Sequence, residues 1–476
     1  MPVALPTDWA VWLLVVVATG YFAYVRRHEH LAAPWRRVTR SGAGMAALVV
    51  LAAFVTVGLL DSLHFRPRLD GRDQAGRPVY GTEVRSVLDA LVLPLRTRNE
   101  RTYSAPLATR SFSRETIELP GGGVAREFQR LRYGGAHLED ETARAADIAV
   151  TALQGVAVAF LGWWLAAILA AAALARRHGI AVGAMWSEIQ RGRTEVQWRA
   201  ILLTALALAL VAVPVAALAA KYHVLGTDKV GQDVLYLSLK SIRTALVIGT
   251  LTTLVLLPIA ILLGIMAGYF KGWIDDVIQY VYTTINSIPG VLLIAAAVLI
   301  MQVYIDQNPG LFPTAAQRAD FRLLLLCVIL GLTSWTGLAR LLRGETLKLG
   351  ELEYIQAAHA FGVRHGRVIT RHILPNVMHI VLIALVMDFS GLVLAEAVLS
   401  YVGVGVDPST TSFGTMINAA RLEMAREPMV WWTLAAAFVF MFVLVLAANL
   451  FADAVRDGFD PRVAVGARPV AAGAAR

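Results

Sequence analysis

Nine stretches of this chain run for about 20 residues each with almost no charge. They lie near residues 9–25, 43–60, 148–175, 201–220, 242–270, 276–304, 322–342, 377–403 and 430–451. A helix needs about 20 apolar residues to cross the hydrocarbon core of a bilayer, and irregular backbone is not tolerated facing lipid. The runs therefore confine the chain to an all-α polytopic membrane fold. Composition agrees, because 16% of the 476 residues are charged where a soluble chain carries about 25%. The net charge of +9 does not mark a nucleic-acid face. The arginines gather beside the ends of the apolar runs, which is how membrane topology is written. Cys327, the only cysteine, lies inside one of those runs, so no disulfide framework or cysteine metal pair exists. The first run follows Asp8 without a basic leader or a small-residue cleavage site, and reads as a retained anchor.

Short connections rich in Arg and Lys mark the cytoplasmic side. Arg26, Arg27, Arg36, Arg37 and Arg40 separate the first two runs, and Arg176, Arg177, Arg191, Arg193 and Arg199 precede the fourth. Lys271 follows the fifth, Arg340, Arg343 and Lys348 begin the link between the seventh and eighth, and Arg456 and Arg462 follow the ninth. With nine spans, all of these fall on one side, which places the N-terminus outside and the C-terminus in the cytoplasm. The opposite connections carry Asp306, Asp320, Asp407, Glu423 and Glu427. Segment 61–147 falls outside by parity although it holds many arginines, and connections beyond about 60 residues obey the charge rule poorly. Its stretches "RSFSRETIEL" and "REFQRLRYGG" alternate polar and apolar residues around "LPGGG", which predicts a small, partly β extracytoplasmic domain. The division is then 1–60 (two spans), 61–147 (the insert), 148–199 (a third span and linker), 200–462 (the main body) and 463–476. The last of these, of small unpatterned residues, is expected to be a disordered cytoplasmic tail.

The most informative interruption is "YIQAAHAFGVRHGRVITRHILPNV", residues 354–377, which carries three arginines, three histidines and no acid between apolar runs. A polar interruption of this length must leave the bilayer, and by orientation it leaves on the cytoplasmic side. "ELEYIQAAHAF" is helical in propensity, Gly362 offers a left-handed stop, and "RHGRVITRHIL" predicts a second short helix. Pro375 then discourages straight continuation into the eighth span. Ala357, Ala358 and Ala360 keep one side of the first helix slim. From these residues alone, the hairpin either enters a groove of another protein or rests on anionic headgroups.

The order of residues resembles the cytoplasmic coupling loop of ABC importer permeases, with its Glu-Ala-Ala…Gly…Leu-Pro pattern. Ala357, Ala358, Gly362, Leu374 and Pro375 match, and Gln356 stands where Glu is usual. "HVLGTDKVGQDVL" (223–235), with Gln232 at a usual Arg, resembles a stretch of the oligopeptide, dipeptide and nickel permease family. So do "GIMAGYFKGWIDD" (264–276) and "SIPG" (287–290). "EAVLSYVGVGVDPSTTSFGTMI" (396–417) and "NLFADAVRDGFDPR" (449–462) resemble signatures of its C-type subunit. The resemblance covers about 200–462. It implies a six-helix permease core preceded by three additional spans, with the 351–376 hairpin docking into an ATPase. It also implies a second homologous permease, two ATP-binding subunits, an extracytoplasmic solute-binding protein and a bacterial inner membrane. ATP and Mg are then held by the partner ATPases and no cofactor by this chain.

Further residues carry two readings each. Thr227, Asp228 and Asp233, just outside the fourth span, form either a turn and helix cap or a contact with a binding protein or outer gate. Asp388 and Glu396 lie in or near the eighth span, within about 80° of one another around a helix. An ionisable group there is a functional candidate, able to attract a peptide amino group or a metal cation, unless each is hydrogen-bonded within the bundle. Asp275 and Asp276 complement the helix dipole where they open the sixth span. His359, His365 and His372 share a surface loop without fixed ligand geometry, so no metal site is expected. No "GxxxxGK[ST]" stretch occurs, so ATP hydrolysis by that chemistry is not expected of this chain and it is not read as an enzyme. The expected function is a permease subunit that turns ATPase closure into alternating access, with peptides the commonest implied cargo. The alternatives are a self-sufficient secondary transporter or channel driven by Asp388 and Glu396, or a sensor built on a permease scaffold.

Overall fold

A computed structural model describes residues 1–72, 78–81, 83–118, 124–308, 310 and 314–459. The expected tail at 463–476 and the turn at 119–123 lie outside the described residues. Strand β1 (Pro2–Val3) leads into α1 (Pro6–Arg27), then the amphipathic α2 (Glu29–Arg40) and α3 (Gly42–Asp61). The insert contributes β2 (His64–Phe65), β3 (Arg68–Arg72), β4 (Pro78–Tyr80), β5 (Arg85–Ser86), α4 (Val87–Leu91), α5 (Leu93–Thr97), β6 (Glu115–Glu118) and β7 (Val124–Glu127). Helices α6 (Arg144–His178), α7 (Val182–Arg191), α8 (Trp198–Ala219) and α9 (Val234–Phe270) follow, then α10 (Gly272–Ser287), α11 (Gly290–Gln307), α12 (Ala315–Ser334) and α13 (Thr336–Gly350). The chain ends through α14 (Glu353–Ala360), α15 (His365–Val368), α16 (Leu374–Val402), α17 (Phe413–Glu423) and α18 (Trp432–Phe459). Among the described residues eight helices are long and apolar enough to cross a membrane, or nine if α12 and α13, bent by 40°, count as one span.

Two of the expected spans differ in detail. The run 276–304 is broken at Pro289, which has no N–H to continue a helix, and only α11 is apolar and long enough to cross. Helix α10 is a separate amphipathic piece packed on α9. The run 322–342 bends between Ser334 and Thr336.

The 37-residue α9 is the spine. Asp233 caps it, its carboxylate accepting from the N–H groups of Leu235 (2.8 Å) and Tyr236 (3.4 Å). At about 1.5 Å per residue it is roughly 55 Å long, so its two ends define the two ends of the bundle. Helix α13 lies close along its far half, because a Cβ at Gly264 or Gly268 would stand 2.7 Å from the carbonyl oxygens of Ala339 or Arg343. Small residues permit such approach where lipid supplies no hydrophobic drive. Small residues also line α6, where Ala167, Ala171 and Ala175, at four-residue spacing, are buried in one cluster with Met185 and Ile189 of α7 and Leu202 of α8.

Contacts at the helix ends fix sidedness. The start of α1 bonds to the start of α12 through Thr7 and Asp320. Helix α2 packs on the end of α18 through Val38, Ala454 and Val455. Lys221, just past α8, reaches Asp147 near the start of α6 at 2.8 Å. The N-terminus therefore shares one end of the bundle with the insert, and the end of α18 lies at the other.

The insert is partly β and, with the N-terminal β1 added to its first sheet, forms three small antiparallel sheets ordered β1-β2-β5, β3-β4 and β6-β7. The second expected strand sits earlier than its polar alternation implies, at β7, with Glu118 opposite Val124 and Glu115 opposite Glu127. The insert does not stand apart. Tyr103 lies in one cluster with Val234 of α9, Phe413 of α17 and Trp432 of α18.

Candidate functional site

The hairpin hangs at the α9 C-terminal end of the bundle. Its inner face is anchored by Ile355, Val368 and Ile373, each fully buried in one cluster with Leu256 and Ala260 of α9 and Leu338 and Leu342 of α13. Three such side chains give roughly 1.5–3 kcal/mol apiece on burial, enough to make the hairpin an extension of the bundle. Helix α14 stops where the N–H groups of Phe361, Gly362 and Val363 turn back to the carbonyls of Ala357, His359 and Ala358. Gly362 takes φ +70°, and nothing lies within 4 Å of where its Cβ would be. Glycine is needed there for backbone conformation, and its open side faces outward. Gln356, Ala357 and Pro375 are exposed, while Ala358 and Leu374 are half-buried. The Gln356 amide donates to the Glu351 carbonyl at 3.2 Å.

Sequence reading missed Phe361, which is 86% exposed at the tip. An aromatic side chain raised on an anchored elbow suits insertion into a partner's groove.

The second half of the hairpin corrects the expectation of a separate short helix stopped by Pro375. Helix α15 passes through a π turn, Ile369–Ile373, directly into α16, with Pro375 in the first turn of that helix. A π turn widens the backbone just where the proline ring would crowd the carbonyl four residues earlier. The hairpin's second arm and the eighth span are thus one continuous helical element.

Polar contacts seat the hairpin on α9 and α10. Lys271 meets Glu351 at 2.9 Å, and the Tyr269 hydroxyl meets His365 Nδ1 at 2.9 Å. His359 stacks on Tyr269 with ring centroids 5.6 Å apart, and His372 lies 6.0 Å from Tyr354. Arg343 of α13 grips Asp275 of α10 through two bonds of 2.6 Å, which holds the Asp275 carboxyl below the usual carboxylate range. Asp275 is therefore a tie between helices as well as an acid in a first helical turn.

The two acids of α16 have separate surroundings. Glu396 is 1% exposed and accepts from the hydroxyls of Ser400 (2.7 Å) and Ser412 (2.8 Å), the latter the cap of α17. It stitches α16 to α17. Asp388 is half-buried and forms no hydrogen bond or ion pair among the described residues. The structure does not bring the two together.

At the other end, Thr227 and Asp233 are fully buried and Asp228 is half-buried. The Thr227 hydroxyl accepts from Ser104 N (2.7 Å) and donates to the Thr102 carbonyl (2.9 Å), both in the insert. Asp228 closes a turn, accepting from Val230 N (2.9 Å) and Gln232 N (2.8 Å). All three serve the turn and cap, and only Asp228 retains an accessible side chain. Beneath them His223 bridges Asp233 (Nδ1, 2.7 Å) and Glu100 of the insert (Nε2, 3.4 Å). Burial alone would lower the His223 pKa, but the two carboxylates raise it to about 9. Burial opposes ionisation of Glu100 too, yet His223 and the N–H groups of Tyr133, Arg132 and Gly134 hold it at about 2.

A second junction, also missed, ties the extension to the spine. Arg243, one turn past Lys240 in α9, contacts Asp8 (2.7 Å), Thr7 (2.8 Å) and Asp320 (3.5 Å). His64 takes the other Asp8 oxygen at 2.8 Å. Lys240 meets Asp61 at 2.6 Å and Asp89 at 3.3 Å. Its signal was present in the sequence as two cations three residues apart within an apolar run, spaced to share one helix face.

Residues 260–465 match the family described as binding-protein-dependent transport system inner membrane component. The oligopeptide transport system permease protein OppC of Mycobacterium tuberculosis is 31% identical over 239 residues, 50% of this chain and 76% of the relative. The glutathione transport system permease protein GsiD of Pectobacterium atrosepticum is 33% identical over 243 residues, 51% of this chain and 73% of the relative. Among solved structures, an inward-facing form of the MetNI methionine ABC transporter covers 48% of this chain and 96% of its own at 16% identity and a TM-score of 0.33. Sequence identity at the level of the two permeases, across about three quarters of each, settles the family, and the chain belongs to the binding-protein-dependent inner membrane transport components, the permease subunits of ABC importers.

Proposed function

We propose that this chain is the C-type permease of a peptide importer, and that Gln356, Ala357, Ala358, Phe361 and Gly362 form the surface gripped by an ATPase. Leu374 and Pro375 transmit the movement into α16. One observation carries this reading: the hairpin is anchored by Ile355, Val368 and Ile373 while its alanine, glycine and phenylalanine tip stands free. A pull on the tip moves α13 and α16 as levers, which is what switching a pathway between its two faces requires. The hairpin end is then cytoplasmic and the insert end outside. A second homologous permease, two ATPases carrying ATP and Mg, and a solute-binding protein complete the assembly. Peptide cargo is supported by the oligopeptide permease among the relatives. Asp388 is the group in α16 offered to a cationic end of that cargo.

Reconstituting the chain alone, and then with its partner subunits, tests the reading. Peptide uptake is expected only from the complete assembly with ATP, and Gly362→Val in that assembly is expected to cut binding-protein-stimulated ATP turnover at least about tenfold while leaving membrane insertion unchanged. Uptake by the chain alone, driven by a gradient, would establish the secondary-transporter reading instead.

A further inference from the structure

In a binding-protein-dependent permease, the surface at the insert end is where the extracytoplasmic partner must land. On this chain the insert lies over part of the main body's connections there. Insert residues cover the base of the 223–233 turn: Glu100 N bonds to the Gly231 carbonyl (2.9 Å), Leu107 N to the His223 carbonyl (2.9 Å) and Gly135 N to the Lys221 carbonyl (3.0 Å). The insert also packs against the start of α18. Phe112 packs edge-on against Trp432 with centroids 4.8 Å apart, Tyr103 bonds to Glu423 at 3.3 Å, and Arg426 lies 5.0 Å from the Tyr103 ring centre. A protein arriving at this end meets the insert beside the exposed 424–429 connection of the main body.

The exposed side of the insert has a distinct character. A hollow of about 450 Å³ is lined by Arg101, Arg130, Arg132, Gln129 and Thr102, with Glu100 at its base. All three arginines are exposed. The one acid is already committed inward: both Glu100 oxygens accept backbone N–H groups, at 2.8 to 3.1 Å, and one faces His223. Among the described residues Arg130 and Arg132 have no carboxylate partner; Arg130 donates to the Leu138 carbonyl and Arg132 lies over the Tyr133 ring at 5.3 Å. Arg101 donates to Gln129 at 3.1 Å and adds its charge to the same rim. The Arg130 and Arg132 guanidinium groups keep spare donors on the exposed side, in the fork geometry that fits carboxylates.

We infer that the Arg101–Arg130–Arg132 face of the insert is the docking surface for the extracytoplasmic solute-binding protein, which meets it with an acidic patch. The inference rests on the importer reading above. It assigns docking to a segment that the matched family region, 260–465, does not include, and it removes Thr227 and Asp233 from that role because they are roofed over.

The test uses the complete assembly in lipid nanodiscs, with the binding protein of the same transporter as the probe. Affinity is measured for wild type, R101E/R130E/R132E and the neutral R101Q/R130Q/R132Q, across a salt series. Rim charges act mainly on association rate and its salt dependence. The charge-reversed assembly is expected to bind at least about tenfold more weakly, with the neutral variant between, with a steep wild-type salt dependence flattened in both variants, and with basal ATP hydrolysis unchanged. Should the reversed chain fail to assemble, the neutral variant and the wild-type salt series decide between the outcomes. Equal affinities, or wild-type binding insensitive to salt, would overturn the docking assignment while leaving the importer reading intact. A wild-type assembly that binds no such protein and shows no stimulated ATP hydrolysis would overturn both.

Discussion

A buried imidazole is one of the ties between the insert and the main body. His223 sits between two buried carboxylates, and its folded pKa of about 9 lies above its ordinary 6.5. A group with a raised folded pKa stabilises fully below its unfolded value and loses that contribution as pH rises through the folded one. Glu100 behaves oppositely: lowered from 4.5 to about 2, its contribution is present above its ordinary range and is lost as pH falls toward 2. The junction should therefore be firm from about pH 5 to 6.5 and loosen first on the alkaline side, as pH approaches 9. Hydrogen exchange of residues 99–112 across pH, corrected for intrinsic rates, measures this. His223→Ala is expected to leave two carboxylates facing one another and to cost about 3–5 kcal/mol of local protection. Protection unchanged between pH 7 and 9.5 would remove His223 from this role. None of this was legible in "HVLGTDKVGQDVL", because the partner, Glu100, lies 123 residues away and only the fold brings it there. Gly362 was legible, since its role is local: a helix needs a left-handed stop, and glycine adopts one without strain.

At the scale of elements, the continuity of α15, the π turn and α16 matters most. The apolar run and the proline were visible in the sequence, but a π turn depends on one residue too many for the α register, which no composition rule reports. The surplus residue sets which way the hairpin faces around the axis of the span. Deleting Thr370, which is exposed, should let the turn close into α-helix and rotate the hairpin by about 100° relative to α16. The variant is expected to insert normally yet lose capture by its ATPase in detergent pull-down, because Phe361 and Gly362 no longer face as before. Undiminished capture would show that the register of the hairpin is immaterial. The break at Pro289, by contrast, was written in "SIPG", and only the length of the surrounding apolar run disguised it.

For the whole molecule, the extension is bolted on by ions. Asp8, Asp320, His64 and Arg243 join α1, α12, the insert and α9 in one buried cluster at the insert end. A buried pair broken from one side leaves an uncompensated charge, costing about 3–5 kcal/mol. Asp8→Ala is therefore expected to lower the thermal unfolding midpoint of the solubilised chain by several degrees and to expose α1 to exchange, while the hairpin stays protected. An unaltered midpoint would mean that apolar packing alone holds the extension. The cluster also makes the extra spans and the insert one unit with the permease, at the end of the bundle opposite the hairpin.

The sequence by itself determined the membrane class, the placement of most spans, the hairpin with its glycine stop, and the family. These follow from hydropathy, local backbone preference and residue order, which act over a few turns of helix. Tertiary structure alone decided that Glu396 is tied down while Asp388 has no partner among the described residues, that Thr227 and Asp233 lie beneath the insert, and that Arg243 and His223 each join segments distant in the chain. Charge pairing and burial depend on which surfaces meet, and that is a property of the folded molecule.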